Sequence, residues 1–404
     1  MSTSMDIPAV ASQGDATTQP AHWGGVFGMT LCVFTLIASE FMPVSLLTPM
    51  AADLRVSEGW AGYGIAISGA FAVLTSLSIS ALAGSTNRKT VLLVLTGLMA
   101  LSGAVVALAT NYIVYMVGRA LIGVVIGGFW SMSAATAMRL VPSDQVPRAL
   151  AIFNGGNAMA TVIAAPLGSY LGSVIGWRGA FFCLVPVAAI ALVWQWISLP
   201  NMRVERTSSS ANVLRLLKNR SVVLGMAACG AFFLGQFVLF TYVRPFLETV
   251  THVRISELSL ILLGIGVAGV IGTATIGTFL KRGVYRCLIV IPILMAAIAL
   301  SLIPFGTWIG SAAVLLAIWG LLATAAPVGW WSWIAQVLPA HAEAGGGLMV
   351  AVIQLAIAMG STIGGMLFDS SGYQSTFVAS AAVLLVGALL TLLTSRSQAP
   401  RDVV

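Results

Sequence analysis

Residues 32–50 read "CVFTLIASEFMPVSLLTPM", an apolar run with one carboxylate, Glu40, in its middle. No charge occurs from Trp23 to Ser39, and none again until Asp53. An uncharged run of that length crosses roughly 30 Å of hydrocarbon as a helix. A carboxylate inside such a helix is costly, so it points to a pathway or a partner. The run therefore reads as a membrane span, and Glu40 as a functional group within it.

The whole chain follows this pattern. It has 404 residues, of which 59% are hydrophobic and 8% charged, with a mean hydropathy of +1.00. A soluble protein carries roughly a quarter charged residues, so the composition is that of a polytopic membrane protein. Residues 1–21 are polar and hold no Lys or Arg, which excludes the basic start of a cleaved signal peptide. Residues 1–24 read as a disordered cytoplasmic tail. Cys32, Cys183, Cys229 and Cys287 all lie in apolar runs without paired spacing, so they read as small buried side chains and not as a disulfide or zinc framework. The three histidines, His22, His252 and His341, fall at helix ends or loops. The chain shows no catalytic cluster, metal-ligand spacing or phosphate loop, so it reads as no enzyme and as needing no cofactor.

Twelve apolar stretches can be marked, at about 25–49, 59–83, 89–110, 112–138, 146–173, 178–199, 221–247, 256–280, 284–305, 308–337, 342–368 and 371–395. With a cytoplasmic N-terminus, the inside segments hold fourteen Lys and Arg, from Arg88 and Lys89 to Arg401. The outside loops hold three, Arg55, Arg178 and Arg254. That is a positive-inside distribution, and it accounts for the basic balance without a nucleic-acid partner. The Ser-rich, basic segment 200–220 divides the chain into bundles at 25–199 and 221–396, with a cytoplasmic tail at 397–404.

Internal repeats support the division. "EFMPVSLLTP" (40–49) pairs with "QFVLFTYVRP" (236–245), and "GWRGAF" (176–181) with "GYQSTF" (372–377), both at an offset of 196. "GFWSMSA" (128–134) pairs with "GWWSWIA" (329–335) at 201. The fold class expected is an all-α membrane protein of twelve transmembrane helices in two pseudo-symmetric six-helix bundles. Parallel six-helix halves with a site between them follow transporter logic.

At 1.5 Å per residue, Glu40 lies roughly 22 Å along its span and Arg119 roughly 10 Å below the outer surface, at a similar level. Opposite charges at one depth are expected to interact. Arg keeps its proton while a carboxylate can exchange one, so Glu40 reads as the proton carrier and Arg119 as the group that tunes it. A static ion pair between the two spans is the alternative. Gly123 and Gly127 follow Arg119 at intervals of four and let a neighbouring helix come close. Trp130 returns to the face of Arg119 after about three turns, and Trp331 is its repeat counterpart. Asn157, Gln236 and Gln354 supply amides. Rings and amides together suit a neutral polar ligand with an aromatic part, although aromatic packing and interhelical hydrogen bonds compete as explanations.

The two six-span halves, the basic central segment and the Arg119-Gly123-Gly127 spacing resemble the major facilitator superfamily, in its drug:proton antiporter branch. "APLGSYLG" (165–172), with Pro166 and Gly168, is similar to the helix-five antiporter motif, with Ala165 where Gly usually stands. In the loop motif between helices two and three, "SALAGSTNRK" (80–89) keeps Arg88 and Lys89 but has Gly84 in place of the Asp of the cytoplasmic latch. "EFMPVSLLTPMAADL", "GGFWSMSA", "MRLVP", "VIAAPLGS", "FTYVRP" and "VAVIQLA" further resemble the purine ribonucleoside exporters of bacterial inner membranes. That resemblance implies export of inosine- or guanosine-type nucleosides and purine analogues in exchange for protons, and the chain is expected to be a monomer. A broader drug or sugar exporter is the alternative, and a membrane-embedded enzyme or receptor a remote one.

Overall fold

Lipid offers no hydrogen-bond partners, so a chain crossing it must satisfy its own backbone, which a helix does within one segment. The computed structural model describes residues 21–84, 86–142, 145–202, 218–338 and 342–398, and the regular elements among them are all helical. They are α1 (Trp23–Leu54), α2 (Glu58–Ala83), α3 (Arg88–Ala107), α4 (Tyr112–Arg139), α5 (Val146–Phe182), α6 (Leu184–Ser198), α7 (Arg220–Phe240), α8 (Val243–Thr249), α9 (Ile255–Leu280), α10 (Val284–Phe305), α11 (Ile309–Val337) and α12 (Ala342–Gln398). The expected N-terminal tail lies outside the described residues up to residue 20, and α1 takes its last two positions. Residues 203–217 of the expected linker and 399–404 of the C-terminal tail lie outside them too.

Polar residues between the apolar runs start the helices. The Asn87 side chain accepts from Lys89 N at 3.0 Å and Asn111 from Val114 N at 3.0 Å. Asn219 accepts from Ser221 N at 3.0 Å. Each satisfies a first-turn donor that has no partner within its helix. At α9, Arg254 N donates to the Glu257 carboxylate at 2.7 Å.

Among the described residues, ten helical segments are long and apolar enough to cross a membrane. Two of them, Arg148–Ser198 and Gly345–Ser397, run for 51 and 53 residues, about twice the length of one crossing. Each is interrupted by a glycine in the left-handed region: Gly176 at φ 75° and Gly372 at φ 77°. These are the first residues of the repeated motifs at 176–181 and 372–377. Only glycine adopts that backbone without a steric cost. The rings that follow also match. Trp177 meets Phe181 edge-on at 6.4 Å, and Tyr373 meets Phe377 edge-on at 5.6 Å.

Buried apolar side chains form one cluster drawn mainly from residues 222–384 and another from residues 26–199. Between them, α12 packs against α2 as well as α7, and α5 packs against α9 as well as α1. On α4, Gly123 and Gly127 face the backbone of α2, where a β-carbon would collide with the carbonyl oxygens of Ser68 and Ala72. The glycine spacing therefore does close-approach work, as its sequence suggested. A side chain at either position should force α2 from α4 and cost about 1–3 kcal/mol or more. We expect Gly123→Val and Gly127→Val to lower the melting temperature of detergent-extracted protein by several degrees. Gly97→Val, at a position with open space around its Cα, should leave it nearly unchanged; equal melting curves for all three variants would refute the packing role.

Candidate functional site

The site begins with two prolines. Pro43 and Pro49 lie inside α1. Proline has no N–H, so each leaves the carbonyl four residues earlier without its helical donor. Those carbonyls belong to Ser39 and Ser45, and both are met by arginine. Arg119 on α4 donates from Nη1 to Ser39 O at 2.7 Å, and Arg244 on α8 donates from Nη1 to Ser45 O.

Arg119 is 1% exposed and spends its remaining donors nearby. Nε donates to Gly64 O at 3.0 Å, while Nη2 donates to Glu40 O at 3.3 Å and to Ser68 Oγ at 3.1 Å. One guanidinium thus joins α4 to both α1 and α2. It lies beside Glu40 but touches that residue through the peptide carbonyl. The static side-chain ion pair that the sequence offered as the alternative does not form. Among the described residues the ion pairs are Asp53–Arg178, Arg244–Glu248 and Arg254–Glu257. The physical reason is the vacancy at Ser39 O, which captures one arm of the fork and orients the rest toward backbone.

The Glu40 carboxylate, 4% exposed, turns the other way. Its Oε1 accepts from Gln354 Nε2 on α12 at 3.3 Å. The next residue, Phe41, stacks on Phe237 of α7 with ring centroids 5.9 Å apart and planes at 28°. Phe41 and Phe237 are repeat counterparts, so equivalent residues of the two repeats meet face to face. Gln236, counterpart of Glu40, holds a buried Oε1 without a partner, as does Gln354.

The other predicted residues are spread more widely. Trp130 is partly buried and meets Phe153 edge-on at 6.3 Å. Trp331 is 45% exposed and lies beside Gly346. Its neighbours Trp330 and Trp333 are buried against each other, and Trp333 Nε1 donates to Tyr285 Oη at 3.0 Å. Asn157 is partly buried. Gly168 faces Ser45 and Met42 of α1, and the carbonyl of Val162, four residues before Pro166, lies against Gly266 of α9. At the opposite end, Arg88 N donates to Met202 O at 2.9 Å, and Asn87 bonds to Asn201 and to Met202 N. This ties the loop before α3 to the end of α6.

Four groups escaped the sequence reading: Arg244, the Phe41–Phe237 stack, the Gln354–Glu40 contact and Asp369. Asp369 on α12 accepts from Gly59 N at 3.1 Å and from the Ser57 hydroxyl, at the start of α2. The prolines gave a usable signal for Arg244, because each marks an orphaned carbonyl four residues before it.

A polytopic helical fold with a buried acid, a buried arginine and amides on facing helices fits a membrane transporter. The model of the Major Facilitator Superfamily matches residues 29–361, and the chain belongs to that superfamily. It is 62% identical over 400 residues to a Pseudomonas aeruginosa protein named transcription regulatory protein OpdE, covering 98% of this chain and all of that one. It is 40% identical over 378 residues to the purine ribonucleoside efflux pump NepI of Salmonella paratyphi B, covering 94% of this chain and 95% of that one. Among solved structures, the nucleoside transporter NupG (a D323A mutant) superposes with a TM-score of 0.75 at 13% identity, covering 92% of this chain and 98% of that one. The human organic anion transporter MFSD10 superposes at 0.64 with 18% identity, covering 92% and 100%. At such identities the last two speak for the fold alone.

The four contacts of Arg119 need a planar fork, which lysine lacks. Arg119→Lys should leave buried carbonyls unpaired, each at about 1–3 kcal/mol. We expect the variant to insert, to melt at lower temperature and to lose most transport. A parental melting curve together with parental transport would contradict the bridging role.

Proposed function

We propose that this chain is a proton-coupled antiporter that exports purine ribonucleosides of inosine or guanosine type, and purine analogues, from the cytoplasm. One observation carries the reading: Glu40 is a buried carboxylate at the contact of α1 with α12, beside a ring pair supplied by both repeats. A group that can exchange a proton sits where the two repeats meet. The relative named as a purine ribonucleoside efflux pump supplies the substrate class. The sequence repeats, the paired left-handed glycines and the two double-length segments support twelve crossings in two six-helix halves, 25–199 and 221–396. The Lys and Arg asymmetry supports cytoplasmic termini in a bacterial inner membrane.

In this reading Glu40 carries the proton and Arg119 holds its helix in place. Trp130, Trp331, Phe41 and Phe237 offer ring faces, while Asn157 and Gln236 offer hydrogen bonds to base or ribose. The relative named as a transcription regulator fits the same reading. An exporter lowers the internal level of a small molecule, and transcription responds to such levels. A drug or sugar exporter is the competing assignment, and substrate competition separates the two.

Radiolabelled inosine should accumulate in everted membrane vesicles whose lumen is acidic, and should fail to do so when the gradient is collapsed. Glu40→Gln keeps volume and hydrogen bonding but cannot titrate. It should reduce gradient-driven accumulation by about tenfold or more while counterflow without a gradient persists. Accumulation by the glutamine variant at the parental level would make Glu40 structural. Trp130→Ala tests the ring contact, since stacking is worth roughly 1–3 kcal/mol per base elsewhere. Purine transport should fall severely and transport of a non-aromatic sugar, where it occurs, much less; parallel losses would assign Trp130 to packing on Phe153.

A further inference from the structure

Gln354 and Glu40 lie 314 residues apart in sequence, on helices that belong to different repeats. Both side chains are more than nine-tenths buried. Among the described residues, the Gln354 amide is the side chain hydrogen-bonded to the Glu40 carboxylate, at 3.3 Å. The second polar atom of that amide, Oε1, is buried without a partner.

The surroundings leave this amide in a singular position. The charged group facing Glu40 is Arg119 from α4, whose donors are engaged by carbonyls and by Ser68. Arg244 from α8 reaches α1 five residues farther along, at Ser45, and is paired with Glu248. From α2, Ser68 adds a hydroxyl that binds Arg119. The main chain of Gln354 is itself held against α2, where a β-carbon on Gly69 would come within 2.8 Å of the Gln354 carbonyl oxygen.

An amide can serve both protonation states of a carboxyl. An ionised carboxylate accepts from the amide NH2, which matches the Nε2–Oε1 contact in the structure. A protonated carboxyl carries an O–H that needs an acceptor, and the unpartnered Oε1 becomes that acceptor after a half-turn of the amide. The two bonds differ in strength, because a hydrogen bond to an ionised group is roughly twice as strong as one between neutral groups. Proton binding therefore weakens the α1–α12 link without leaving either group unpaired.

We propose that Gln354 is a positioning residue that transmits the protonation state of Glu40 to α12, in place of the substrate contact read from the sequence. The inference rests on Glu40 being the proton carrier. Its test uses the full-length protein in everted vesicles and compares the parent with Gln354→Met, Gln354→Asn and Glu40→Gln. Gradient-driven inosine accumulation, the KM and rate of gradient-free counterflow, and the pH profile of counterflow are measured for each. Gln354→Met keeps the volume without the hydrogen bonds, and Gln354→Asn keeps the amide but draws it back from Glu40. Both should lose accumulation by about tenfold, with a counterflow KM within about twofold of the parent's and a flattened pH profile. A raised KM with accumulation intact at saturating substrate would make Gln354 a substrate contact and overturn the proposal. Equal losses of counterflow and accumulation would reduce it to a structural residue, which also overturns it. Parental coupling in both Gln354 variants, with coupling lost in Glu40→Gln, would sink the proposal alone. Coupling retained in Glu40→Gln would instead remove the reading of Glu40 on which it rests.

Discussion

A helix in lipid has no water to repair a missing hydrogen bond, and α1 contains two prolines that each create one. The carbonyls of Ser39 and Ser45 are thereby left open, and each is closed by a guanidinium from another helix. The rest of the site depends on this constraint. Arg119 is buried at the cost of desolvating a permanent charge, and three carbonyl dipoles with one hydroxyl offset that cost. Because the fork is held by backbone carbonyls and Ser68, the Glu40 carboxylate forms no side-chain ion pair with it and bonds instead to α12. The acid therefore meets α12 through Gln354.

Much of the architecture was legible because membrane spans follow from composition and length alone. The expected stretches and the observed helices agree to within a few residues at most ends. The motif pairs read at an offset of 196 share local backbone and ring geometry. Gly176 and Gly372 share a left-handed conformation, Trp177–Phe181 and Tyr373–Phe377 share an edge-on pairing, and Phe41 meets its own counterpart Phe237. Small residues at intervals of four were equally readable, since Gly123 and Gly127 lie where a β-carbon could not fit.

The direction of individual side chains was not legible. Depth along a helix places Glu40 and Arg119 at one level, but it does not show which atoms meet there. The outcome turned on Pro43, which leaves the Ser39 carbonyl without a helical donor, and that carbonyl accepts from the arginine. For the tryptophans of α11, helical spacing says that they cannot share a face. It cannot say that Trp330 and Trp333 would be buried while Trp331 stays exposed. The loop before α3 lacks the acid its motif usually carries, and Asn87 forms the connection there through contacts with Asn201 and Met202 that no motif encodes.

The two arginines grip α1 from different neighbours, one from α4 at Ser39 and the other from α8 at Ser45. The helix thus resembles a shaft held by two clamps about one and two-thirds turns apart. Any rotation of α8 relative to α4 applies a torque to the segment between them. A proline lies within that segment and has removed a rung of the helical ladder, so the twist concentrates there. Glu40 and Phe41 stand on that compliant section. A small rigid-body movement of one clamp relative to the other would therefore be taken up in the section that carries the acid and its neighbouring ring.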